Sequence, residues 1–174
     1  MIKQKIYQYN LFNDLQFKKK CNIMNNIHPT AIIGNNTKIG DNVNIAEFVL
    51  IGKNVKIGNN VIIKPFCEIR DNCKVGNNVS FGSRCTLAAD TIVENHVIIK
   101  YGFVATDTPK VPDSKRTPCK IREKARFGAN VTIMPGTTIG KNSEIGACSQ
   151  VRKNVPSNEI WYGNPAKFFK MVND

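Results

Sequence analysis

Apolar residues return at every sixth position from Ile27 to Ile99: Ile27, Ile33, Ile39, Ile45, Ile51, Ile57, Ile63, Ile69, Val75, Phe81, Leu87, Val93 and Ile99. No member of the series is polar. Glycine often follows at once, as at Gly34, Gly40, Gly52, Gly58, Gly76 and Gly82. Four residues after most anchors stands a small or β-branched residue, such as Thr37, Val43, Val55, Cys67 or Val79, and Asn, Asp and Lys fill much of the rest. A period of six is neither the 3.6 of a helix nor simple strand alternation; a fixed period marks a repeat architecture. Each hexad predicts one short strand and one turn. The β-branched anchors suit a pleat, and Gly and Asn supply the left-handed backbone that sharp corners need. Three hexads close a triangular coil, and stacked coils pair as parallel strands over a continuous ladder of buried anchors. One coil buries little, so stability is close to a nearest-neighbour sum and the ends need caps.

The period breaks after Ile99 and resumes at Ile121, Phe127, Ile133, Ile139, Ile145 and Val151, a gap of 22 where six is expected. Sixteen residues are therefore read as inserted at one corner. The insert, about 104–120, holds Pro109, Pro112 and Pro118. Proline keeps it out of the sheet, which predicts a protruding loop, and long loops on rigid scaffolds commonly carry function. Residues 1–26 precede the repeat and are Lys-rich, with Ile2, Ile6, Tyr9, Leu11, Phe12, Leu15 and Phe17. A short amphipathic helix or an extended arm fits them, and the segment is read as a cap. Pro156 ends the last strand, and 156–174, with Trp161, Phe168 and Phe169, is expected to form a short helix capping the last coil. The expected fold is thus an all-β parallel β-helix over 27–155, with a terminal cap at each end.

Composition narrows the partners. The 174 residues carry a formal net charge of +12, which points to nucleic acid, an acidic membrane surface or phosphate-bearing small molecules. A basic stripe interleaved with aromatics is missing, which argues against nucleic acid. Cys67, Cys73 and Cys85 fall on inward positions and read as small core residues. The absence of a C-x-x-C pair, of a secretory segment and of a membrane-length apolar run leads to the expectation of reduced thiols in a cytoplasm.

The C-terminal part has a more specific order: Gly128-Ala129-Asn130, Pro135-Gly136-Thr137-Thr138-Ile139-Gly140, Ile145-Gly146-Ala147, Val155-Pro156, then Gly163-Asn164-Pro165-Ala166-Lys167. Over about Ile27 to Lys167 the chain resembles the hexapeptide-repeat acyltransferases, and most closely the acetyl-CoA-dependent N-acetyltransferases of nucleotide-linked amino sugars. The resemblance implies a left-handed coil, a homotrimer, acetyl-CoA as acyl donor and a UDP- or dTDP-linked amino-deoxy sugar as acceptor. Sugar O-acetylation and a non-catalytic β-helix scaffold are the alternatives. A γ-type carbonic anhydrase needs three zinc-binding histidines, and the chain has only His28 and His96. No metal site is expected.

Direct attack of an amine on a thioester requires something to take the proton. Histidine suits that role, so His96, at a corner just before the loop, is the leading candidate. Glu94, Asn95 and Asp107 flank it in sequence, and Asp107 is expected to bind the amine or orient His96. An alignment one hexad earlier substitutes Asp90. His28 is read as structural. The resemblance places the pantetheine arm and thioester against Gly128, Ala129, Gly146 and Ala147. It leaves Arg152, Lys153 and Lys167 for the CoA phosphates, with Lys120, Arg122, Lys124 and Arg126 as further cations. Arg70, Arg84 and Lys100 are candidates for the nucleotide diphosphate, and Tyr101 or Phe103 for stacking on its base.

Overall fold

A computed structural model describes residues 25–109 and 115–172. The chain winds as a left-handed parallel β-helix of about seven coils. Two-residue strands stack into three parallel faces. Face A runs Asn26–Ile27, Asn44–Ile45, Ile62–Ile63, Ser80–Phe81, Ile98–Ile99, Arg126–Phe127, Glu144–Ile145 and then Glu159–Gly163. Face B starts at Ile32–Ile33 and ends at Gln150–Val151; face C starts at Lys38–Ile39 and ends at Thr138–Ile139. Partners are 18 residues apart wherever the repeat is unbroken, as in Ser80↔Ile98 and Phe81↔Ile99. The anchors and the small residues two before them form one core, including Ile63, Cys67, Phe81, Leu87, Ile99, Phe127 and Ile133, each at most 2% exposed.

The third residue after most anchors takes the left-handed conformation. Asn fills it at 36, 42, 54, 60, 72, 78, 130 and 142, with φ between 55° and 61°. Asn enters that region at less cost than a bulky residue does. The exceptions to Asn, among them Phe48, Phe66, Arg84, Asp90 and His96, therefore carry information.

Two expectations change. The period does not stop at Ile99: Val104–Ala105 forms one more strand of face B, with Ala105 buried in an anchor's place. A small anchor had hidden it, so the insert spans 106–119. The C-terminal segment is a hairpin rather than a helix, with Glu159–Gly163 antiparallel to Ala166–Met171. Trp161 takes an anchor position beside Ile145 and is 7% exposed, and Gly163-Asn164-Pro165 is turn chemistry. The described residues contain no helix, so none long and apolar enough to cross a membrane. The expected N-terminal cap falls almost wholly on residues outside the described ones.

The buried thiols donate to backbone carbonyls, Cys73 to Ala88 and Cys119 to Met134. Burial pushes the Cys73 thiol up to about 12 and that of Cys119 to about 11. The thiolate is the reactive form. In the native protein at pH 8, iodoacetamide should therefore modify exposed Cys148 and leave Cys73 and Cys119 intact; rapid labelling of either, read by peptide mass spectrometry, would contradict this packing.

Candidate active site

The three corners differ in chemistry. At the C–A corner, side chains of one coil cap backbone N–H groups of the coil before. The N–H groups of Asp41, Asn59 and Asn77 donate to Oδ1 of Asn59, Asn77 and Asn95, each at 2.8 Å. Three catalytic candidates lie in this ladder. Asn95 is one of its acceptors. Glu94 accepts from Arg122 Nη1 at 2.7 Å and from the Glu123 N–H at 3.0 Å. His96 is an exposed corner residue with φ 60°, in line with Asn78 and Lys124. Burial opposes ionisation of Glu94, but its hydrogen bonds and charge pairing with Arg122 outweigh this and lower its pKa. A lowered carboxylate stabilises the fold above its ordinary pKa and loses that contribution as pH falls through the lowered value. Glu94→Gln should therefore be less stable than the parent at pH 7, and the gap should close on acidification; a gap constant with pH in urea denaturation would contradict the pairing.

The B–C corner carries the loop. Asp107 opens the insert, and its carbonyl accepts from the Thr117 N–H at 2.6 Å and the Thr117 hydroxyl at 3.2 Å, pinching the loop shut at its base. Its carboxylate accepts from the Thr108 hydroxyl at 2.9 Å. Arg116 bridges the Asp107 and Asp90 carboxylates at 3.8 and 3.6 Å. Asp107 and Asp90 thus belong together, while His96 lies on another corner. Within one chain Asp107 does not orient His96, because one extra strand on face B carries the loop to the next corner. Arg70 is paired with Glu68 at 2.6 Å on this side of face B. Arg152 donates to Gln150 at 2.6 Å, and Lys153 lies over the Trp161 ring, 5.6 Å from its centroid, covering the end of the core.

At the A–B corner the second residues after the anchors are Glu47, Pro65, Ser83, Tyr101, Ala129 and Ala147. None of these side chains is an Asn or Asp that would cap a neighbouring N–H. Among the described residues, the N–H groups of Ser83, Tyr101, Ala129 and Ala147 find no acceptor. The N–H groups of Gly128 and Gly146 are already committed, to Ile145 and Trp161 carbonyls at 2.8 Å each. Their lack of a side chain serves coil stacking: a Cβ on Gly128 would lie 2.5 Å from the Ala147 nitrogen, and one on Gly146 2.7 Å from Tyr162 Cβ. Within the two Gly-Ala pairs, the donors left for a ligand are therefore those of the alanines.

Two concavities meet at this corner. One, about 420 Å³, runs over face A between Ile98 and Ile160, floored by Gly128 and Gly146 and rimmed by Lys100 and Arg126. Arg126 is paired with Glu144 at 2.8 Å. The other, about 460 Å³, is lined by Glu47, Pro65, Phe66, Ser83, Arg84 and Tyr101. Phe103 takes no part in either: it is fully buried against Phe127, with ring centroids 4.9 Å apart. Its expected role as a base-stacking residue is thus corrected, since it occupies the inward position two before an anchor. Lys167 lies exposed on the hairpin, paired in register with Tyr162.

The model for bacterial transferase hexapeptide repeats matches residues 48–89 and 118–153, and that for the hexapeptide repeat of succinyl-transferases matches 30–65. Together they cover more than half of the chain. The chain belongs to the hexapeptide-repeat transferase family. Within that family, it is 38% identical over 100 residues to a galactoside O-acetyltransferase of Lactococcus lactis subsp. lactis (strain IL1403), covering 51% of this chain and 48% of that one. It therefore spans about half the length of that relative. The acetyltransferase domain of PglB from Neisseria gonorrhoeae FA1090 shares the fold, with a TM-score of 0.53 at 18% identity over 84% of this chain and 58% of that chain. A serine acetyltransferase solved in complex with cysteine gives a TM-score of 0.53 at 26% identity, over 59% of this chain and 41% of that one.

Proposed function

We propose that this hexapeptide-repeat protein is an acetyl-CoA-dependent N-acetyltransferase acting on the amino group of a nucleotide-linked amino-deoxy sugar. The observation that carries the donor half is the A–B corner: the uncommitted N–H groups of Ala129 and Ala147 directly follow Gly128 and Gly146, which line an apolar groove together with Lys100 and Arg126. A thioester on an apolar arm with an anionic end matches that arrangement. A backbone N–H aimed at the thioester oxygen holds the charge that develops there. Ala129 and Ala147 are the residues assigned that task, with Lys100 and Lys167 toward the anionic groups.

The acceptor half rests on Asp107 and Asp90. A carboxylate holds the amino group by hydrogen bonds and takes its proton as the free amine forms the N–C bond; the C–S bond then breaks and coenzyme A leaves as a thiolate that is protonated to the thiol. A sugar hydroxyl, a far weaker acid, needs a stronger base at the same place. His28 is bonded to Thr30 in the first coil, and His96 stands in the C–A ladder. Within one chain the acidic loop base and the donor groove lie on opposite edges of face B. The homotrimer implied by the resemblance would bring the B–C corner of one copy to the A–B corner of the next and so close the site. A second reading, transfer to a sugar hydroxyl, is favoured by the galactoside O-acetyltransferase likeness. Incubation with acetyl-CoA and matched amino and hydroxyl sugar nucleotides, followed by mass spectrometry and hydroxylamine treatment, separates the two. An acetylated product that survives hydroxylamine is the amide expected here; a labile ester moves the assignment to the hydroxyl, and no transfer to either removes both.

A further inference from the structure

The 460 Å³ concavity at the A–B corner has a wall that the fold gains nothing by building. Phe48, Phe66 and Arg84 hold the left-handed position on three successive coils, with φ 56°, 61° and 59°. Asn fills the equivalent position at most other rungs. Bulky residues there cost roughly 1–3 kcal/mol each. Phe48 and Phe66 are also 57% and 53% exposed, so burial does not offset that cost. Their rings stack at 5.2 Å with an interplanar angle of 13°, and the Arg84 guanidinium sits 6.0 Å over the Phe66 ring. The stack fixes Arg84 from one side. Among the described residues Arg84 has no carboxylate partner, and the Tyr101 ring, 59% exposed, has no ring against it. Tyr101 stands one coil beyond Ser83, about 4.8 Å along the axis. Its neighbour Lys100 lines the donor groove, so the two concavities abut across a single peptide bond.

An unpaired guanidinium held rigid suits the bidentate recognition of phosphate, and an exposed aromatic face accepts a nucleobase without demanding which. We propose that this corner is the subsite for the nucleoside diphosphate part of the acceptor, with Arg84 on the diphosphate and the Tyr101 ring against the base. The sugar is then delivered across Lys100 toward Ala129. The inference rests on the acetyltransferase reading for the sugar, but not for the nucleotide.

The test is calorimetric titration of the full chain with UDP, dTDP, GDP and tripolyphosphate, without acetyl-CoA. The variants are Arg84→Asn and Tyr101→Ala, residues already present at equivalent corner rungs, as Asn130 and Ala129, so the backbone accepts both. At least one nucleoside diphosphate should bind saturably. Each variant should weaken it tenfold or more, with circular dichroism retained and Tm not lowered. Tripolyphosphate should bind more weakly and respond to Arg84→Asn alone. Nucleotides that fail to bind, variants that bind like the parent, or tripolyphosphate that binds as tightly as every nucleotide would each overturn the subsite. Acetyl-CoA is titrated in parallel: nucleotide binding without acetyl-CoA binding would remove the reaction and keep the subsite, and the converse would remove the subsite alone.

Discussion

Ala129→Pro is expected to lower kcat by about 10²- to 10³-fold, the usual loss when one oxyanion donor is removed, while the protein stays folded. Proline deletes the backbone N–H and fixes φ; it is disruptive only where that N–H is bonded or that φ is wrong. Neither holds here. The Ala129 N–H has no acceptor among the described residues, and the same position of the A–B corner is proline at Pro29 and Pro65. Ala147→Pro makes the same deletion one coil on. If Ala129 holds the oxyanion, Ala147→Pro should raise the KM for acetyl-CoA more than it lowers kcat; an exchange of the two phenotypes would place the thioester one coil further along. Steady-state kinetics of both variants, at fixed acceptor, decide this. Two folded proline variants with parental kinetics would mean that the corner does not serve the reaction.

The second large effect concerns the ladder itself. Phe81 lies in the middle coils, 1% exposed, paired to Ile63 on one side and Ile99 on the other. Phe81→Ala should cost about 3–5 kcal/mol, because the coil cannot collapse into the space without breaking register with both neighbours. In a stacked repeat each interface is shared by only two coils, so the loss should also broaden the transition by letting the two halves unfold separately. Urea denaturation read by circular dichroism checks both; a loss under 1 kcal/mol with an unchanged slope would contradict a single continuous core.

The fold was legible because its signal is a period, and a period survives any one ambiguous residue. Its edges were less so. Ala105 carries too little apolar surface to stand out as an anchor, and that one missed rung placed Asp107 beside His96 when the chain has already moved to another corner. The final hairpin was hidden because Trp161 to Met171 offers apolar residues at spacings that fit either element.

The site was legible in part. Gly128 and Gly146 line a concavity on face A, but they serve the stacking of coils, and the N–H groups without an acceptor are those of the alanines that follow them. Phe66 was missed. Its signal was present in the series of residues three after each anchor, where Phe replaces Asn and no local packing requires it. Which corners are uncapped could not be read from the sequence, since it depends on which side chain of the next coil reaches a given N–H.

The donor site is the centre of this account, and calorimetric binding of acetyl-CoA to the full chain at fixed salt, against ATP as an anion control, tests it most directly. Saturable binding of acetyl-CoA that far exceeds that of ATP is expected, together with a stabilisation of ~2.7 kcal/mol at 100 times Kd. Equal, weak and salt-sensitive binding of both would show that the charge of +12 merely gathers anions and that the A–B groove is not a donor site.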